Sequence, residues 1–150
     1  MTAWSLALRD IPSPDYVHTV IVPIDAHGSV DPAAWARRIF SPRDMPRWVL
    51  VALSLRQALV PARGIRPAPR DVFGVREVDD DEALIAADDD HLDFRCAVAV
   101  DEATRMLRVT TTVRLHGRGG RLSMVPVRLA HPFVMRAMLR AAARSWRRAS

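Results

Sequence analysis

Residues 91–116, HLDFRCAVAVDEATRMLRVTTTVRLH, constrain the fold more than any other stretch of the chain. Apolar residues take alternate positions in two runs: Leu92, Phe94, Cys96, Val98 and Val100, then Leu107, Val109, Val113 and Leu115, with Thr111 among them. Side chains of a strand point to alternate faces, so each run offers a sheet one apolar face. The polar turn Asp101–Thr104 joins the runs into a predicted hairpin with Val100 opposite Arg105. His91, Asp93 and Arg95 then share the other face with Arg108, Thr110, Thr112 and Arg114. A slip of one residue would exchange the two faces, so this register is strongly specified.

The flanking segments read as further strands and helices. After a proline-punctuated lead over residues 1–14, Tyr16–Ile24 is rich in β-branched residues and predicts a strand. Asp31 and Pro32 are suited to open a short helix, Ala33–Phe40, which ends before Pro42. A second helix is predicted from about Pro46 to Val60, apolar nearly all round and therefore well buried. Residues 61–71 form a Pro/Arg loop. Strands are predicted at Val72–Val78 and Ala83–Asp88 around the acidic turn Asp79–Asp81, with Phe73, Val75, Ile85, Ala87, Leu92 and Phe94 on one face. Gly117-Arg118-Gly119 suits a short hairpin loop, and Arg121–Leu129 predicts another strand with Ser123, Val125, Val127 and Leu129 on the apolar face. From His131-Pro132 to about Arg148 the spacing predicts a helix. His131, Met135, Met138, Ala142 and Trp146 share one side of it, and Arg136, Arg140, Arg144 and Arg147 the other.

Strands in a run followed by a helix indicate an α+β fold, here one domain over residues 1–150. The expected architecture is a curved antiparallel sheet of about six strands wrapped on the long last helix, with two short helices after the first strand. A gap between sheet and helix would admit a ligand. With 49% hydrophobic and 26% charged residues, the composition is that of a globular domain rather than a disordered or membrane-embedded chain. The start lacks a basic segment followed by a long apolar core, so no signal peptide is expected. A single cysteine, Cys96, cannot form an internal disulfide and suits a reducing cytoplasm. All 22 basic residues are Arg, and their distribution is uneven. Residues 71–102 hold 12 of the 17 acids, whereas residues 103–150 hold 11 Arg and no acid. Such asymmetry fits a surface for nucleic acid or membrane, but also acidic and basic strands lying side by side, the reading favoured here.

The order of elements resembles the helix-grip fold of the START and Bet v allergen superfamily. DDDHLDFRCAV, VTTTVRLH and GR ahead of a His-initiated helix are similar to the bacterial domain of unknown function 2867, over roughly residues 15–145. Members of that family occur alone or behind an epimerase-like domain. The resemblance implies a helix-grip fold with an apolar cavity and supplies no catalytic residues. This chain has Ser123 where the family tends to carry an aromatic, and Leu129-Ala130 where it carries Pro-Phe.

Several residues are candidates for chemistry. Thr111 and Ser123 interrupt the apolar face on neighbouring predicted strands, as hydroxyls that orient a ligand would, or as core hydroxyls bonded to nearby backbone. With them, Phe73, Phe94, Met135 and Met138 are expected to line a cavity for a small apolar or amphipathic molecule. Glu77 has inward parity and, with His18, could move protons in a polyketide-cyclase- or dehydratase-like enzyme. At a strand end, however, Glu77 also reads as a solvated residue, and a binding role without catalysis is favoured. The arginine stripe Arg136/Arg140/Arg144/Arg147 reads as a solvated helix face, or as a non-catalytic site for an acidic partner. Nucleic acid is not expected, since no aromatic platform accompanies the stripe. Neither acidic cluster, Asp79–Glu82 nor Asp88–Asp90, has the spacing of a calcium loop, and no zinc-ligand spacing, phosphate loop or dinucleotide fingerprint occurs, so neither metal nor cofactor is expected.

Overall fold

The computed structural model describes residues 5–26, 28–52, 74–88 and 90–149. The predicted hairpin is the centre of its sheet, as β4 (Leu92–Asp101) and β5 (Met106–Leu115). Val100 pairs with Leu107 rather than with Arg105, a displacement of two residues that leaves every side chain on its expected face. The reason lies in the turn. Thr104 donates its backbone N–H to the Asp101 carboxylate, and Arg105 takes a left-handed φ of 54°, so the reversal needs four residues.

Five antiparallel strands form one sheet in the order β1-β5-β4-β3-β2, with β1 at Tyr16–Pro23, β2 at Val75–Asp79 and β3 at Glu82–Asp88. Among the described residues the count is five, not six. The predicted strand Arg121–Leu129 and the glycine loop before it instead belong to one helix, Gly117–Ala149. The place beside β5 that a following hairpin strand would take is filled by β1, which pairs with β5 along its whole length. Within that helix Met124 is buried while Leu122, Val125 and Leu129 are exposed, a spacing of three and four that replaces the expected alternation.

Among the described residues, four helical segments pack on this sheet. α1 (Leu6–Asp10) arises in what the sequence marks only as a lead, and Ser5 caps it by accepting from the N–H of Ala7. α2 (Pro32–Ile39) is capped by Asp31, as predicted. Residues 47–52 are helical and form the start of α3; the rest of that predicted helix, 53–60, and the Pro/Arg loop lie outside the described residues. Its Val49 is buried, but Trp48 and Val51 are exposed, so the expected burial on all sides fails at this end. α4 is the 33-residue helix Gly117–Ala149, which carries Pro126 and Pro132 within it.

The two sheet faces have different covers. On the inner face Ala83, Ile85, Cys96, Val98, Val100, Leu107 and Val109 pack with Trp35, Ala36 and Ile39 of α2 and Met135, Met138, Leu139 and Ala142 of α4. On the outer face α1 sets Leu6 and Ala7 against Leu84 and Ala97. Glu82 is buried there, accepting from Ser5 Oγ at 2.8 Å, the Leu6 N–H at 2.6 Å and Arg108 at 3.3 Å. Arg95, also buried, donates to Asp10 and Asp88, while Thr112 donates to the Ala7 carbonyl at 3.1 Å. Burial lowers the Arg95 pKa, but its bonds to Asp88 and Asp10 outweigh that and hold it above its ordinary value. Acidic and basic side chains of neighbouring elements thus offset one another across this face.

Candidate functional site

Parity along β1 brings Tyr16, His18, Val20 and Val22 to the inner face, where His18 lies beside Thr111 and Thr111 beside Cys96. His131 of α4 reaches the same place. Its ring stands edge-on to Tyr16 at 5.6 Å and to His18 at 5.2 Å between centroids, and its Nδ1 lies 3.4 Å from the Tyr16 hydroxyl. Burial, with the nearby His18 charge, pushes the His131 pKa down to about 4. Burial and then Arg136 lower that of His18, whereas burial raises that of Tyr16 against the pull of Arg128. At neutral pH the cluster therefore holds two neutral imidazoles and a phenol at the rim of an apolar core.

The residues singled out in the sequence divide between core, surface and positions outside the description. Thr111, Met135 and Met138 are buried in the same face as His18, and Phe94 packs against them half-buried. The Thr111 hydroxyl faces Cys96 Sγ at 3.9 Å, and burial drives that thiol up to about 12, so it stays protonated. Phe73 and the side chain of Ser123 lie outside the described residues. Glu77 does not face inward. An irregularity between Val75 and Glu77 shifts the register, so that Glu77 pairs with Leu84 instead of Ala83 and turns to the outer surface. Its side chain is 46% exposed and forms an ion pair with Arg9. That position removes it from any role at the inner face.

The described opening between sheet and helix lies toward the other end of α4. A groove of about 310 Å³ is lined by Pro23 and Asp25 after β1 and by Arg140, Ala143, Arg144 and Arg147 of α4. Beside it, a space of about 10 Å³ reaches Gly28, Trp35 and Trp146, room for a single water. The turn residue Arg105 sets one wall by donating to the carbonyls of Asp25 and Gly28. α2 fixes the other: Trp35 packs on Trp146 at 5.8 Å, and Arg38 lies 3.9 Å above the Trp146 ring while bonding Ser145. Arg140, Arg144 and Arg147 fall on one helical face at spacings of four and three, where like charges repel. Among the described residues, Arg147 pairs with Asp25 at 3.1 Å, leaving the other two arginines turned to the groove without a carboxylate.

The sequence marked the arginine stripe but not the groove, because Pro23 and Asp25 meet α4 only through tertiary packing. Tyr16 and His131 were likewise not singled out for chemistry. The signal was present in the even parity of Tyr16 with His18 and in the helical face shared by His131 and Met135. Among the described residues no three His, Cys, Asp or Glu side chains group to hold a metal ion, and no helix is long and apolar enough to cross a membrane.

Neither a curated protein nor a solved structure matches the chain. A family model described as Protein of unknown function (DUF2867) matches residues 11–138, and the chain belongs to that family.

Proposed function

We propose that this chain is a helix-grip protein of the START and Bet v kind that binds a small amphipathic anion between the sheet edge and the last helix. The observation that carries the reading is the groove with Arg140 and Arg144 on one wall and Pro23 and Ala143 beside them. Its volume of about 310 Å³ stands at the lower end of small-molecule sites. A carboxylate or phosphate there relieves the repulsion between the arginines and gains charge-assisted hydrogen bonds, while a short apolar tail covers Pro23 and Ala143. The test is a thermal-shift and native mass spectrometry comparison of short- and medium-chain fatty acids with the matching alcohols. Saturable binding of the acids alone is expected, and Arg140→Glu/Arg144→Glu should weaken it at least about tenfold. Equal response to acid and alcohol, or no saturable ligand, would overturn the reading.

A second reading, a polyketide-cyclase- or dehydratase-like enzyme, is favoured by the phenol of Tyr16 beside the neutral imidazole of His131. Such a pair can take a proton from a substrate and return it. Tyr16→Phe and His131→Gln should each abolish turnover of a polyketone substrate; unchanged turnover in both variants would exclude it.

A further inference from the structure

One surface of α4 is apolar where a helix on a sheet is normally polar. Leu122, Val125, Leu129 and Phe133 recur at intervals of three and four, so they form a single stripe. They are between 56 and 73% exposed, while Met124, Met135, Met138 and Ala142 of the same helix turn to the core. The stripe runs about 17 Å along the axis. Arg136, Arg140, Arg144 and Arg147 extend the same face, and Arg118 and Arg121 stand at its start. α4 contains eight Arg and no acid.

We infer that this face of α4 docks on an anionic bilayer surface, with Leu122, Val125, Leu129 and Phe133 entering the boundary between headgroups and acyl chains and the arginines meeting lipid phosphates. Charge decides the occupant. A second copy docked through α4 would set two acid-free helices, each with eight arginines, against one another. A bilayer instead supplies an apolar layer and an anionic layer at adjacent depths, which is the order that large aliphatic side chains bordered by Arg require. Arg140, Arg144 and Arg147 also line the groove, but the four apolar residues take no part in it, and the inference rests on them.

Vesicle flotation tests it with the full chain. Vesicles of phosphatidylcholine containing about 30% phosphatidylglycerol should retain the protein at least about tenfold better than phosphatidylcholine alone, with much of the preference lost near 0.5 M salt. Leu129→Ser/Phe133→Ser should lose at least about tenfold of that binding. Both positions are exposed, so circular dichroism and melting temperature should stay unchanged. The double variant should also keep its response to small anions, which separates this result from the groove. Equal retention on both vesicles, undiminished binding of the double variant, or a dimer in sedimentation that the double variant abolishes would overturn the inference. The last outcome would assign the stripe to a second copy, and capture by an acidic protein with no vesicle binding would assign it to that partner.

Discussion

His131 illustrates how one buried ring couples stability to pH. Its pKa in the fold, about 4, lies below the ordinary value of 6.5, so the fold favours the neutral ring. That contribution is complete above about pH 6.5 and is lost as pH falls toward 4, because the unfolded chain takes up the proton first. The loss should be roughly 3 kcal/mol by pH 4, His18 adding in the same direction. Urea midpoints measured across this window should fall with acidification, and His131→Gln should flatten the slope. Glycines at the start of α4 give a second residue-scale expectation. A Cβ on Gly120 would stand 2.5 Å from the His91 carbonyl oxygen, whereas one on Gly119 would meet only the His91 ring at 3.6 Å. Gly120→Ala should therefore cost about 1–3 kcal/mol, while Gly119→Ala should be neutral or stabilise by up to about 1 kcal/mol, as thermal melts of the two variants will report.

Among the elements, α1 depends on one carboxylate. Glu82 satisfies both the hydroxyl of Ser5 and the first N–H of the helix, and its other partner is Arg108. Glu82→Gln removes the charge from bonds that prefer it and should cost about 2 kcal/mol. Hydrogen exchange should accelerate at Leu8, Arg9 and Ile11, whose N–H groups bond within this turn, but not in β4 or β5. The sequence revealed the elements whose patterns are local and missed those decided by neighbours. Alternation in β4 and β5, and the Asp-Pro start of α2, were legible because each is read from adjacent residues. The strand expected at 121–129 obeyed the same alternation, yet no edge of β5 was left for it. Glu77 followed the parity of Val75 until the irregularity beside it reversed the count, and nothing in VREV marks that event. For the site, the arginines and the inward His18 were visible, but their partners Asp25, Tyr16 and His131 required the packing of β1 against α4.

At the scale of the molecule, charge and topology set the remaining behaviour. α4 gathers eight of the 22 arginines, whereas the acids concentrate on β2, β3 and the turns around them. Small-anion binding in the groove should therefore weaken with salt, since Arg140 and Arg144 are exposed and screening acts on exposed charge. Titrations at about 0.05 and 0.5 M salt should differ severalfold in affinity. β1 pairs with β5 across the greatest span of sequence in the sheet, Tyr16 lying opposite Val113. During synthesis, an eight-residue ribbon therefore leaves the ribosome long before its partner exists. Until the last third of the chain emerges, its exposed amides invite chaperones or stray strands from other molecules. A circular permutant opened between Pro23 and Pro32, with the original termini joined, places Tyr16–Pro23 after β5 and α4; its partner strand then exists before it emerges, so the permutant should refold faster and aggregate less at the same final stability.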